Sequence, residues 1–212
     1  ADEHVEAILD AWYPGARGGR AIAEAIFGEY SPSGKLPVTF YANTEQLGDF
    51  TDYSMSNRTY RYTNARVLYP FGYGLSYSQV EYSQAALSQT ECEVKDNITV
   101  QAKVTNHGSY PVEESVQVYI RHEDRQSYEP GFQLKGLCHL TLEPGETKLA
   151  EVVLKTRDFA VITEDGTCVI RPGDYQISIG GSQPDARSEA LTGNQTQLLM
   201  VRRNGEEEII AY

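Results

Sequence analysis

Period-two alternation governs the chain from about residue 79 onward. Ile98, Val100, Ala102 and Val104 alternate with Thr99, Gln101 and Lys103; Val116, Val118 and Ile120 alternate with Gln117 and Tyr119. Val152 and Leu154 continue the habit, as do Tyr175, Ile177 and Ile179. Successive side chains of a strand point to opposite faces, so such runs predict half-buried strands. Turn chemistry separates them, at Asn106-His107-Gly108, Glu143-Pro144-Gly145, Glu164-Asp165-Gly166 and Arg171-Pro172-Gly173. About seven such strands in about 120 residues predict a β-sandwich over residues 79–212.

The first 78 residues obey other rules. Residues 5–9 are apolar enough for a short helix or a buried strand, stopped by Pro14-Gly15. Ala21, Ile22, Ala25 and Ile26 then recur at helical spacing, with Arg20, Glu24 and Glu29 on the other face and Gly28 placed to end the helix. Leu36-Pro37-Val38-Thr39-Phe40 predicts a short strand with a proline near its start. Residues 41–66 are polar, tyrosine-rich and aperiodic, which predicts a long surface segment. Residues 68–77 set aromatics between glycines, as a packed connector would. The fold expected is α+β overall: a partial α/β segment over 1–78, then an all-β sandwich over 79–212.

Charge narrows the function classes. Eighteen basic against thirty acidic side chains leave a formal net charge of -12. Six basic and nine acidic residues precede residue 79, so the sandwich carries most of the negative excess. Phosphate binding needs a local positive field, and no Lys/Arg cluster supplies one; nucleic acid is excluded as a partner. No apolar run approaches the ~20 residues of a membrane span, and no basic start with an apolar core marks a signal peptide. The chain begins Ala1-Asp2-Glu3, which points to processing or to a piece of a longer polypeptide.

Tyrosine is over-represented, 15 against 6 Phe and 1 Trp, with 7 of the 15 between Tyr53 and Tyr82. A ring with a hydrogen-bonding tip suits a half-wet packing seam or a sugar-contacting surface, and both readings stand at this point. Cys92, Cys138 and Cys168 form no CxxC pair; their odd number argues against a disulfide scaffold while leaving one bridge possible. His4, His107, His122 and His139 lack metal-ligand spacing and are expected to be solvated or packed.

Reaction centres are harder to find. Gly15-Ala16-Arg17-Gly18-Gly19 before a helix suggests a phosphate cradle but lacks GxGxxG spacing, and close packing at the helix start is the better reading. Gly34-Lys35 mimics the end of a P-loop, yet Leu36 stands where a Mg-binding hydroxyl should be. No GxSxG turn occurs. Asp49 and Asp52 in the tyrosine-rich segment suit either a sugar hydroxyl or plain solvation.

Two aromatic-glycine segments carry a family resemblance. Ala11-Trp12-Tyr13-Pro14-Gly15, Gly18-Gly19, Phe27-Gly28 and Pro32-Ser33-Gly34-Lys35-Leu36-Pro37-Val38-Thr39-Phe40 resemble the end of the α/β sandwich domain of family 3 glycoside hydrolases. Arg58-Thr59-Tyr60-Arg61-Tyr62 and Leu68-Tyr69-Pro70-Phe71-Gly72-Tyr73-Gly74-Leu75-Ser76-Tyr77 resemble the block that follows in its β-glucosidase and β-xylosidase members. Val116-Gln117-Val118-Tyr119, Leu142-Glu143-Pro144-Gly145-Glu146 and Pro172-Gly173-Asp174-Tyr175 are similar to the family's fibronectin type III-like (immunoglobulin-like) C-terminal domain.

The resemblance implies retaining hydrolysis of β-linked glucosides or xylosides, without metal or organic cofactor. In the family an Asp on a (β/α)8 barrel is the nucleophile and a Glu of the α/β domain the acid/base. No residue of this chain matches either, so none is assigned a catalytic role, and the two-carboxylate route implies that the chain alone is inactive. The partners implied are a β-linked oligosaccharide and the missing barrel domain or chain. Arg58 and Tyr60 are the candidate substrate-adjacent residues, since Arg forks to hydroxyls and Tyr stacks on sugar faces; the alternative is that Arg58 and Arg61 pin the loop through Asp49 or Asp52.

A non-catalytic carbohydrate- or protein-binding module is the rival class, although Tyr119, Tyr128 and Phe132 do not align at strand period. Complementation of a separately encoded barrel chain is a third reading. Sequons at Asn57, Asn97 and Asn194 matter only in a eukaryotic secretory pathway, while the odd cysteine count leans towards a reducing, cytoplasmic compartment; localisation stays open.

Overall fold

The computed structural model describes residues 4–211. The expected sandwich is built from β1 (Val80–Leu87), β2 (Glu91–Glu93), β3 (Ile98–Asn106), β4 (Val112–His122), β5 (Gln133–Leu142), β6 (Thr147–Leu154), β7 (Val161–Ile162), β8 (Cys168–Ile170), β9 (Gly173–Gly180), β10 (Gln197–Asn204) and β11 (Glu208–Ile209). One sheet runs β1-β3-β6, the other β2-β10-β9-β4-β5, and a small third sheet runs β11-β8-β7. All pairings are antiparallel except β2 with β10.

The alternating runs become the core. Ile98, Val100, Ala102 and Val104 of β3 pack with Val116, Val118 and Ile120 of β4, Ala150, Val152 and Leu154 of β6, and Ile177 and Ile179 of β9. Fully burying each such side chain stabilises the fold by roughly 1.5–3 kcal/mol. β5 and β6 approach closely at Gly136, where a Cβ would sit 2.4 Å from Val152 Cγ1.

Before β1 the chain is mostly irregular. Helix α1 (Gly18–Ile26) forms where the helical spacing predicts it, with buried Gly18 packed against Pro14 at its start. It ends as its sequence suggests: Gly28 takes φ 75°, its N–H bonds Ala25 O at 3.0 Å, and the Glu29 N–H bonds Glu24 O at 2.8 Å. This paired closure satisfies carbonyls that the last turn leaves open.

The strand expected at residues 36–40 is realised only in part. Leu36 and Phe40 exchange backbone hydrogen bonds with residues 68–73, but Pro37 has no amide to donate, and the pairing reduces to a bridge between Phe40 and Tyr69. The helix or buried strand expected at residues 5–9 is absent; the segment is irregular and exposed, because no described strand lies beside it to take its backbone groups. Cys92, Cys138 and Cys168 are free thiols, so the one bridge left open by their count is not formed. Among the described residues no helix is long and apolar enough to cross a membrane.

Candidate functional site

The tyrosine-rich connector lies against the sandwich along a polar seam. Lys35, just before the interrupted strand, donates from Nζ to Gly74 O at 2.9 Å and stands 3.5 Å from Glu114 Oε1 on β4. Tyr82 of β1 donates to the same carboxylate oxygen at 2.8 Å. Both ionic side chains are nearly out of water, Lys35 15% and Glu114 5% exposed, so each depends on the other. Burial first, and then the Glu114 carboxylate, push the Tyr82 phenol well above its ordinary range.

A second group of contacts lies along β4. Gln117 donates from Nε2 to Gly72 O at 2.9 Å and to Gly181 O at 3.0 Å, and its Oε1 accepts from the Tyr119 hydroxyl at 2.6 Å. Tyr60, in the one-turn helix α2 (Thr59–Tyr62), stacks on Phe71 at 4.0 Å and meets the Tyr119 ring edge-on at 6.3 Å. Its hydroxyl accepts from Leu134 N at 3.1 Å. Arg187, in helix α3 (Ala186–Thr192), donates from Nε and Nη2 to Leu68 O. Tyr77 donates to Ala25 O at 2.8 Å and so ties α1 to the connector.

Ahead of this seam stands the loop 41–57, and Arg58 grips it. Arg58 Nη2 donates to the backbone carbonyls of Asp49 at 2.8 Å and Asp52 at 2.7 Å. The carboxylates themselves are turned to other work: Asp49 Oδ1 accepts from the Thr51 hydroxyl and N–H, and Asp52 accepts from the Ser54 N–H and hydroxyl. Those bonds hold both acids below the usual carboxylate range, the Thr51 hydroxyl leading for Asp49 and the Ser54 amide for Asp52. Arg58 therefore pins the loop through carbonyls where the pairing alternative put carboxylates, and Arg61 is engaged elsewhere: its carbonyl accepts from Gly131 N at 2.6 Å and its N–H donates to Thr59 Oγ1 at 3.3 Å.

Left-handed backbone flanks Arg58 on both sides, at Asn57 (φ 58°) and at β-branched Thr59 (φ 56°). Such conformations cost energy and persist only where surroundings enforce them. The clamp leaves the loop's aromatic tip outside, with Phe50 93% and Tyr53 91% exposed.

Of the residues singled out in sequence, Arg58 and Tyr60 are close neighbours at the connector, whereas Asp49 and Asp52 serve their own turns. Glu114 and Gln117 had no functional reading, and Lys35 only that of a P-loop mimic, set aside because Leu36 follows it. Glu114 carried a signal, for it occupies an inward position of the alternation that Val112, Val116 and Val118 follow. Gln117 and Tyr119 carried none, because both faces of β4 are covered at this point. His122 packs edge-on against Tyr175, and among the described residues no group of three or more His, Cys, Asp or Glu could hold a metal ion.

Comparison with known proteins finds two matches along the chain. Residues 1–77 match the glycosyl hydrolase family 3 C-terminal domain and residues 114–183 the fibronectin type III-like domain. A xylan 1,4-beta-xylosidase of Xylanibacter ruminicola is 41% identical over 192 residues, which cover 90% of this chain and 22% of that protein. A periplasmic beta-glucosidase of Salmonella typhimurium is 32% identical over 84% of this chain and 25% of its own length. Among solved structures, a β-glucosidase from Erythrobacter marinus superposes with TM-score 0.79 at 32% identity, over 95% of this chain and 26% of that one. The chain spans about a quarter of the length of the relatives it matches.

Proposed function

This chain belongs to glycoside hydrolase family 3, whose C-terminal portion it carries, and from that premise we propose that it braces the active-site region of a retaining β-glycosidase acting on β-linked glucosides or xylosides. The observation that carries the reading is the two-sided character of residues 4–78. One side is locked to the sandwich through Lys35–Glu114, Gln117–Gly72 and Tyr60–Leu134. Large apolar side chains, Trp12, Ile26, Phe27 and Phe50 among them, remain in water. A segment so built holds a covered face rigid and offers the other to a further part of the enzyme.

In this reading the nucleophile and acid/base belong to that further part. Hydrolysis by the two-step route needs a pair of carboxylates about 5 Å apart across the scissile bond. The purified chain therefore releases nothing from aryl β-glucosides or β-xylosides above a buffer blank; turnover that survives exhaustive purification overturns the proposal. Of the two substrate-adjacent candidates, Arg58 keeps Nε and Nη1 for a sugar hydroxyl, while Tyr60, stacked on Phe71 and hydrogen-bonded to Leu134 N, anchors the one-turn helix that directly follows Arg58. In the full-length enzyme Tyr60→Ala then raises KM for long substrates and leaves that for short aryl glycosides unchanged. Loss of stability alone, with both KM values intact, makes the pair structural pins instead.

A further inference from the structure

Between the connector and the sandwich lies a half-open cleft of about 290 Å³. Lys35 and residues 74–78 form one wall; Glu114, Gly181, Ser182 and residues 194–196 form the other. The volume falls at the small end of ligand sites and suits a small guest such as a single sugar ring.

Its chemistry is that of a polyhydroxyl site. The hydroxyls of Ser76, Ser78 and Thr192 are spent on protein carbonyls. The side chains of Ser182, Asn194 and Thr196 form no hydrogen bond among the described residues, so donors and acceptors remain on the sandwich wall. The Lys35–Glu114 pair is internally neutralised, which favours an uncharged guest over an anion or a cation. Tyr77 supplies an aromatic border whose orientation is fixed, since its hydroxyl is held by Ala25 O and its ring meets Tyr110 edge-on at 6.2 Å. A fixed aromatic ring beside convergent hydroxyl and amide groups suits a sugar ring, apolar on its faces and polar at its rim.

We propose that this cleft binds a single uncharged pyranose and that the sugar, touching both walls, braces the seam. The proposal does not rest on the function proposed above; inactivity of the chain neither supports nor weakens it. A free monosaccharide offers such chemistry; an acyclic polyol shares its hydroxyls but not its ring, and the test separates the two.

The ¹⁵N-labelled 212-residue chain, carrying Ile26→Lys and Phe27→Glu on exposed positions outside the cleft to keep it monomeric, is titrated with D-xylose, D-glucose, sorbitol and glycerol, and thermal unfolding is followed in parallel. The expected result is a saturable shift of the Gly74, Gly181, Ser182 and Thr196 amides with the pyranoses, accompanied by a saturable rise in Tm. Thr196→Val, which keeps the methyl lying over Gly180, and Asn194→Ala each weaken that binding about tenfold, the value of one lost hydrogen bond. Lys35→Met is the harsher variant, and the two rim variants keep the test open should it fail to fold. A linear, unsaturating rise in Tm, equal for all four compounds and for the variants, is general solvent exclusion and overturns the site. Tighter binding of sorbitol or glycerol than of either pyranose overturns the ring assignment.

Discussion

A Cβ at Gly72 would lie 2.3 Å from Gln117 Oε1 and 2.7 Å from the Tyr119 hydroxyl, and the residue stands at φ 77° besides. Gly72→Ala therefore combines left-handed strain with a clash in the middle of the seam, and the cost expected is about 2–4 kcal/mol in denaturant unfolding. Buried tyrosines set the alkaline limit of the fold. Burial raises Tyr82 and Tyr119, and raises Tyr175 from 10.0 to about 12. The folded state thus keeps protons that the unfolded chain gives up. Their contribution is complete below about pH 10 and is lost as the pH climbs through 12 and beyond. Unfolding free energy measured against pH should fall over that window, and Tyr175→Phe, which has no proton to lose, should flatten the fall.

At the scale of elements, loop 49–54 depends on one guanidinium. Arg58→Ala removes both carbonyl clamps, and hydrogen exchange at the loop's amides should accelerate at least tenfold while global stability changes by less than about 1 kcal/mol, since the loop buries little. No periodicity announced this arrangement, because an arginine holding two carbonyls six and nine residues away leaves no repeating trace. Strands were legible where one face is buried and the other wet, as in β3 and β6. β1 was not, because its ladder shifts between Ser83 and Ala86, where Gln84 takes φ 49°, and this breaks its phase. Consecutive Leu198, Leu199 and Met200 in β10 mask the alternation in the same way. Helix α3 was written in turn chemistry at its ends: Asp185 accepts from the Arg187 and Ser188 amides, and Gly193 closes it at φ 69°. Its seven residues are too few for a helical period to stand out.

The tyrosine cluster was open to two readings, and the whole molecule shows how it is divided. Tyr60, Tyr77 and Tyr82 serve the seam, while Tyr53 stands in water. The same asymmetry governs the apolar surface. On the sandwich, exposed Leu137, Leu149 and Val153 are spread over β5 and β6, and Leu198 and Met200 share one exposed face of β10. Before β1 the exposed set is richer in large rings: Ile8, Trp12, Tyr13, Ile26, Phe27, Val38, Phe50 and Tyr53, with Trp12 edge-on to Phe40 at 6.4 Å. Monomeric proteins rarely leave large contiguous apolar patches in water, and those that do associate. The net charge of -12 opposes association, but charge lies mainly on the sandwich and is screened beyond about 8 Å at physiological salt. Burial of one or two aromatic rings exceeds what remains of that repulsion. The isolated chain is therefore expected to self-associate at micromolar concentration in 0.15 M salt and to bind a hydrophobic dye. Ile26→Lys with Phe27→Glu, on the open end of α1, should return it to a monomer by sedimentation velocity without lowering Tm, since neither side chain is packed. Leu149→Lys with Val153→Glu on β6 is the matched control and should leave the association unchanged. If the β6 pair disperses the oligomers and the α1 pair does not, the uncovered face is on the sandwich and the bracing role assigned to the first 78 residues fails.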